Sequence, residues 1–398
     1  MHSMFHETTQ LADITETSRI RVAHLLSGSK VWGVENYVHN LLSSQNATML
    51  QPSVICTKVG VISEKFANSG FQVSTIPMRN YFDVSSISSL SNLFESKQID
   101  LVHVHLGLDS FIGTLAAKKA NKPVIMTVHF DQPNHMNYSL LAKQFWNGFQ
   151  KLKNQGIAHF LPITENVATE LMRREAVPRE KITVIHPGIP LFETDKSSKL
   201  TIRHELNCDE NDVVIIGIGR LEPEKNFSCL LNAVANMNNE KSIKVWIIGD
   251  GSERSSLSES IRRIGLGERV QLLGYRNDVI QLLGAADIFV LPSKAEPFGM
   301  SAVEAMIARL PVVGTNGPGL GTIVDHEVTG LLVQADDSVA LATALSRLVN
   351  DRSLRIKLAE AGRERAAALF SSDGMADKMV KVYRNVISAH RQSSATKF

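Results

Sequence analysis

Val213-Val214-Ile215-Ile216-Gly217-Ile218-Gly219-Arg220-Leu221-Glu222-Pro223-Glu224-Lys225-Asn226 reads as an apolar strand that runs straight into a charged turn. A strand with no polar side chain suits burial on both faces, as in a parallel sheet covered by helices. Working outward, apolar strands recur at 243–248, 270–273, 288–292, 311–314 and 330–333. Helical periodicity separates them at 226–235, 253–265, 276–285, 301–309 and 338–350. The first half repeats the alternation, with strands at 19–26, 52–57, 73–77, 101–105, 124–129, 159–164 and 181–186. Its helical patterns include 35–45, 87–96 and 165–174. A turn-rich polar stretch at 188–199 divides the halves, and a long helical region at 353–393, broken near 370–373, closes the chain. The expected fold class is α/β, with two doubly wound Rossmann-like domains in tandem. Residues 1–17 are read as a flexible tail, 18–190 and 191–375 as the domains, and 376–398 as a terminal helix and tail.

Composition narrows the function. A chain of 398 residues, 43% hydrophobic and 21% charged, is long enough for two cores and unlike disordered or coiled-coil sequence. No apolar run approaches the roughly 20 residues of a membrane span. The first 17 residues carry Glu7, Asp13 and Glu16, no basic group and no apolar core, so they do not read as a secretory signal. Cys56, Cys208 and Cys229 are too scattered for a disulfide framework or metal knot and read as buried thiols in a reducing, cytoplasmic setting. Residues 18–190 hold 17 basic and 11 acidic side chains, against 25 and 26 in 191–398, so the first half leans toward an anionic partner. With no basic–aromatic motif and a net charge of +2, nucleic acid is not an expected partner.

Open α/β sheets bind ligands beyond the carboxyl ends of their strands. Arg220 and Lys225 leave one strand end and flank a turn, where two cations suit the growing negative charge of a departing diphosphate. Glu296-Pro297-Phe298-Gly299-Met300-Ser301-Ala302-Val303-Glu304 follows another strand. Glu296 falls on a loop, Ser301 is placed to cap a helix, and Glu304 stands in the opening turns of that helix. Carboxylates accept paired hydrogen bonds from vicinal hydroxyls such as those of a sugar and a ribose. Backbone N–H groups at the helix start favour an anion between them.

These motifs resemble the donor site of the retaining nucleotide-sugar glycosyltransferases of family four, which have the GT-B fold of two facing Rossmann-like domains. The similarity continues through Gly249-Asp250-Gly251, Leu273-Gly274-Tyr275 and Thr329-Gly330-Leu331-Leu332-Val333. The resemblance implies transfer of a hexose from a UDP- or GDP-linked donor to a hydroxyl of a glycan or lipid-linked acceptor. It also implies no cofactor or metal, and a terminal helix that crosses back to the first domain. By similarity, Arg220 and Lys225 hold the diphosphate, and Glu296 holds the transferred sugar with the amides of Phe298, Gly299 and Met300. Glu304 holds the ribose, while Gly249, Gly251 and Tyr275 border the nucleotide. Gly28 with Trp32-Gly33 resembles the glycine-rich loop after strand one, although Trp32 replaces one of two adjacent glycines; Trp32, Gly33 and His105 are placed on the acceptor side. His129 resembles the histidine beside the transferred sugar, and His103 is read as alternating away from His105 into the core. His186 and Pro187 are read as hinge geometry, and the family often has Asn-Gly where Pro187-Gly188 stands. The loop Gly317-Pro318-Gly319-Leu320-Gly321-Thr322 lacks the usual acidic group.

Phe145, Trp146, Phe149 and Leu152, beside Lys143, Lys151 and Lys153, form a basic amphipathic segment. It reads either as a core helix with solvated lysines or as a peripheral contact with an anionic membrane. Three other functions stay open on the residues alone. A two-carboxylate glycosidase leaves the neighbouring cations unexplained. A nucleotide-sugar epimerase shares the architecture. A non-catalytic sugar-nucleotide binder has no need of all four charged groups.

Overall fold

The computed structural model describes residues 18–26, 33–79, 83–105, 107–129, 154–195, 197–237 and 242–396. The expected N-terminal tail, Gly28, Trp32 and the basic amphipathic segment at 143–153 lie outside them. The first six strands are β1 (Ile20–Leu26), β2 (Leu50–Cys56), β3 (Gln72–Thr75), β4 (Leu101–Val104), β5 (Val124–Val128) and β6 (His159–Pro162). They form a parallel sheet in the order β3-β2-β1-β4-β5-β6. The second set is β7 (Val213–Ile218), β8 (Ile243–Ile248), β9 (Val270–Gly274), β10 (Ile288–Leu291), β11 (Val312–Thr315) and β12 (Gly330–Val333). Its order, β12-β11-β10-β7-β8-β9, repeats the first domain's 3-2-1-4-5-6 plan. In both sheets the winding direction reverses between the first and fourth strands, which opens a crevice at their carboxyl ends.

The apolar runs form these strands because each has two faces to bury. Along β7, Val213 and Ile215 join one core with Leu230, Val234 and Leu345, while Val214 and Ile216 join the other with Trp246, Phe289 and Met306. That alternation is the strand's two-residue period. The inner strands β7, β8, β10 and β11 are sandwiched in this way, so their carboxyl ends are fixed from both sides.

The closing helical region is two helices, Arg352–Leu369 and Ser372–Ala395, broken where Ser371 accepts from the Gly374 N–H as an N-cap. The second helix crosses back to the first domain. Asp373 accepts from the Ser44 hydroxyl at 2.6 Å, Asn46 donates to Asp377 at 3.0 Å, and Tyr383 meets His103 at 2.5 Å.

Three sequence expectations are corrected. Residues 181–186 form no strand: a 3-10 turn at Arg179–Lys181 and Pro187 leave only the Phe160–Ile182 bridge, and the chain departs toward the second domain. His103 does not alternate away from His105. Residues two apart in a strand share a face, and these rings stack with centroids 4.3 Å apart, although His103 is buried as expected. Ser301 does not cap its helix, which begins at Met300 after Gly299; its hydroxyl donates instead to Ile218 O at the end of β7. The helices Val61–Asn68, Gly107–Lys119 and Ser198–Glu205 add to those expected. Gly107–Lys119 packs closely on β1 and β4 through Gly113, Ala116 and Ala117, and such small residues mute the apolar period.

Candidate active site

The site grows from the two switch points. In the second sheet β7 and β10 are neighbours, so the segments leaving them lie side by side. Lys225 ends a short 3-10 turn, Pro223–Lys225, and Glu296 follows β10. Their side chains meet at 2.5 Å, both largely shielded from solvent at 15% and 12% exposure. The Ser293 hydroxyl also donates to Glu296 at 3.2 Å. Arg220 pairs with Glu224 at 2.5 Å and is 49% exposed, so its guanidinium stands at the solvent side of the turn.

The turns after β7 and β8 are laced by main-chain hydrogen bonds. Leu221 N–H donates to Asp250 O at 3.0 Å, and Glu253 N–H donates to Leu221 O at 2.8 Å. Gly249 explains how they approach: its backbone takes φ of +134°, and a Cβ there would stand 1.9 Å from Gly219 O. A side chain on Gly251 would likewise meet Leu221 O at 2.4 Å. Tyr275, just past β9, is 71% exposed.

Gly299 opens the Met300–Ile307 helix in a left-handed conformation, with φ of 108°. Phe298 is buried against His186 and Phe370, with ring centroids 5.9 and 5.5 Å away, so the loop, the interdomain segment and the terminal helix pair share one aromatic cluster. His186 Nδ1 also bonds Ile163 O at 2.8 Å, which ties that cluster to the first domain. From across the crevice the helix Gly33–Leu42 presents Gly33, whose Cβ direction faces Met300 Sδ at 4.0 Å.

Glu304 is pushed up to about 7 by burial, and the Lys65 ammonium of the first domain draws it back. Lys65 donates to Asn36 at 2.9 Å; burial lowers its own pKa, while Glu304 and then Glu35 raise it. On the first sheet, His105 follows β4 and His129 follows β5, and their Nδ1 and Nε2 atoms lie 3.2 Å apart. His129 is only 7% exposed and burial holds it down to about 3, so it is neutral near pH 7.

Sequence reading missed Lys65 and Ser293, and it quoted the loop of Gly319 without seeing that residue's packing role. Lys65 sits on a helix of two turns, too short to signal itself. Gly319 has a readable signature only in space: a Cβ there would fall 1.9 Å from Glu296 O, so glycine lets the loop carrying Glu296 close. Among the described residues, no helix is long and apolar enough to cross a membrane.

Two parallel Rossmann-like sheets, each with its switch point opening on one crevice, define the GT-B class of protein. Residues 31–192 match the model of Glycosyltransferase Family 4, and residues 198–365 match that of glycosyl transferases group 1. The chain belongs to the family-four glycosyltransferases. It is 28% identical over 391 residues to the UDP-Gal:α-D-GlcNAc-diphosphoundecaprenol α-1,3-galactosyltransferase of Escherichia coli, covering 93% of this chain and 98% of that one. An uncharacterized glycosyltransferase of Methanocaldococcus jannaschii is 26% identical over 293 residues, covering 72% and 75%. In fold, the chain is similar to Anabaena HepE, crystallised with UDP and glucose, at a TM-score of 0.81, 21% identity and coverage of 92% and 99%.

Proposed function

We propose that this glycosyltransferase moves a hexose, with retention of configuration, from a UDP- or GDP-linked donor to a hydroxyl of a glycan or lipid-linked acceptor. The observation that carries the reading is the shielded Lys225–Glu296 pair, which sets a phosphate-binding cation beside a hydroxyl-binding carboxylate. On closure of the crevice, Lys225 and Arg220 stabilise the departing diphosphate while Glu296 and the amides of Phe298, Gly299 and Met300 hold the sugar. Glu304 takes the ribose, and Gly249, Gly251 and Tyr275 border the nucleotide. The acceptor hydroxyl attacks the face the diphosphate leaves, and a diphosphate oxygen takes its proton. No protein nucleophile, cofactor or metal is needed for that route. Gly28 is assigned with the donor-binding group, and Trp32, Gly33 and His105 with the acceptor side.

The Escherichia coli relative is named for a UDP-linked donor and a diphosphoundecaprenol-linked acceptor. By that analogy the acceptor here is an undecaprenol-type or glycolipid precursor in cell-surface polysaccharide synthesis, met by a cytoplasmic enzyme peripheral to the membrane.

A thermal-shift screen with UDP, GDP and ADP, followed by transfer from the matching sugar nucleotide, tests this. A nucleotide at 100 times its Kd adds about 2.7 kcal/mol, or several degrees in Tm. No shift with any nucleotide, or isomerised donor without transfer, contradicts the proposal. The response is also expected to depend on pH through Glu304, faced by Lys65 and, beyond it, Glu35. Its folded pKa is raised, so the free protein loses stability from this group as pH climbs from about 4.5 to about 7. Ribose hydroxyls need the ionised form, so affinity should rise about tenfold between pH 6 and 8 from this group. Titration calorimetry on Glu304→Gln checks it: the phosphate's own titration is common to both proteins, and the extra tenfold should vanish in the variant.

A further inference from the structure

We propose that His24 and His105 are positioning residues, which hold His129 in the Nδ1–H tautomer so that it offers a hydrogen-bond donor to the bound sugar. This rests on the transferase reading above. Three imidazoles run through the carboxyl edge of the first sheet. His24 Nδ1 lies 3.4 Å from His105 Nε2, and His105 Nδ1 lies 3.2 Å from His129 Nε2. The far end of the run is His24 Nε2, fully buried without a hydrogen-bond partner among the described residues.

That orphan atom sets the direction of the whole run. Burial keeps all three rings below their ordinary pKa, so each carries one N–H near neutral pH. If protons pointed from His129 toward His24, then His24 Nδ1 would accept and its Nε2 would be a buried N–H with no acceptor, which folded proteins strongly avoid. The reverse direction leaves only a bare lone pair there. His24 then donates from Nδ1 to His105 Nε2, His105 donates from Nδ1 to His129 Nε2, and His129 carries its proton on Nδ1. Tyr37 fixes the last ring edge-on, with centroids 4.9 Å apart at 88°.

His103 stands outside the run, because its two nitrogens bond Tyr383 and Thr127 at 2.5 and 2.7 Å. Nitrogens of His24, His103 and His105 lie within 4.8 Å of one another, but His103 and His105 stack at 26° and cannot both aim in-plane lone pairs at one ion.

The test is long-range 1H–15N NMR on the full chain labelled at histidine, with His129 assigned by its loss in His129→Asn. The wild type should show His129 protonated at Nδ1 and bare at Nε2 at pH 7.5. His24→Leu should give a tautomer mixture at His129 and lower kcat about tenfold, with nucleotide KM within about twofold. His24→Asn, whose amide N–H replaces Nδ1–H, should restore kcat to within about threefold, and it serves equally if the leucine variant does not fold. A wild-type His129 protonated at Nε2, or His24→Leu with unchanged tautomer and kcat, overturns the proposal. So does zinc that shifts these resonances reversibly with EDTA. The spectrum needs no substrate, so an intact Nδ1–H pattern without transfer would count against the transferase reading alone.

Discussion

Arg220→Ala is expected to lower kcat by about 10²- to 10³-fold while the folded structure and Tm stay close to wild type. The two halves of that expectation have separate causes. In the free protein Arg220 is 49% exposed and its partner Glu224 is 41% exposed. Exposed pairs of this kind contribute about 0–1 kcal/mol, so the fold loses little. On the proposed function the guanidinium faces a diphosphate that gains charge as the sugar leaves, and a fixed cation in a water-poor site then acts on the transition state. Lys225→Ala is a less clean probe, because it strips the shielded Glu296 of its ion partner and disturbs stability as well as turnover. Steady-state kinetics beside a thermal melt separates the cases. Turnover within about threefold of wild type in Arg220→Ala would remove electrostatic stabilisation of the leaving group from the account.

Gly249→Ala should be the most damaging single methyl group in the second domain. Its φ of +134° is strained for any side chain, and the new Cβ would meet Gly219 O at 1.9 Å, a main-chain atom that cannot swing aside. Overpacking of this kind costs about 1–3 kcal/mol or more, or roughly 2–10 °C in Tm. Because Gly219 leads directly into Arg220, relief of the clash displaces the cation, and activity should fall further than stability. Gly267→Ala is the matched control, since nothing lies within 4 Å of its Cβ position and its Tm should not change. Equal melting temperatures for the two variants would show that the β7–β8 turns do not pack as described.

The fold was legible wherever a strand is buried on both faces. Val213–Ile218, Ile243–Ile248 and Gly330–Val333 announce themselves as apolar runs because helices cover each side. Residues 181–186 have a similar pattern yet make only one bridge, since hydropathy registers burial but not hydrogen-bond partners. At the proposed site, Arg220, Lys225, Glu296 and Glu304 were singled out by position, because ligands in this architecture bind just past strand ends, and the fold pairs Lys225 with Glu296 and sets Glu304 in reach of Lys65. What escaped were contacts made only by the tertiary fold. His24 sits in the carboxyl half of β1 and resembles any core histidine until His105 and His129 arrive from strands far along the chain. Tyr383 reaches His103 from 280 positions away. Lys65 meets Glu304 electrostatically across the crevice, and a count of charges along the chain gives no sign of it.

The most direct measurement is a crystal structure of the full chain soaked with whichever nucleoside diphosphate gives the largest thermal shift. The diphosphate is expected between the β7 and β10 turns, with Arg220 and Lys225 on its oxygens and the Glu304 carboxylate on the ribose hydroxyls. A nucleotide bound elsewhere, or bound there with Lys225 and Glu304 turned away from it, would contradict the assignment of this crevice as the donor site.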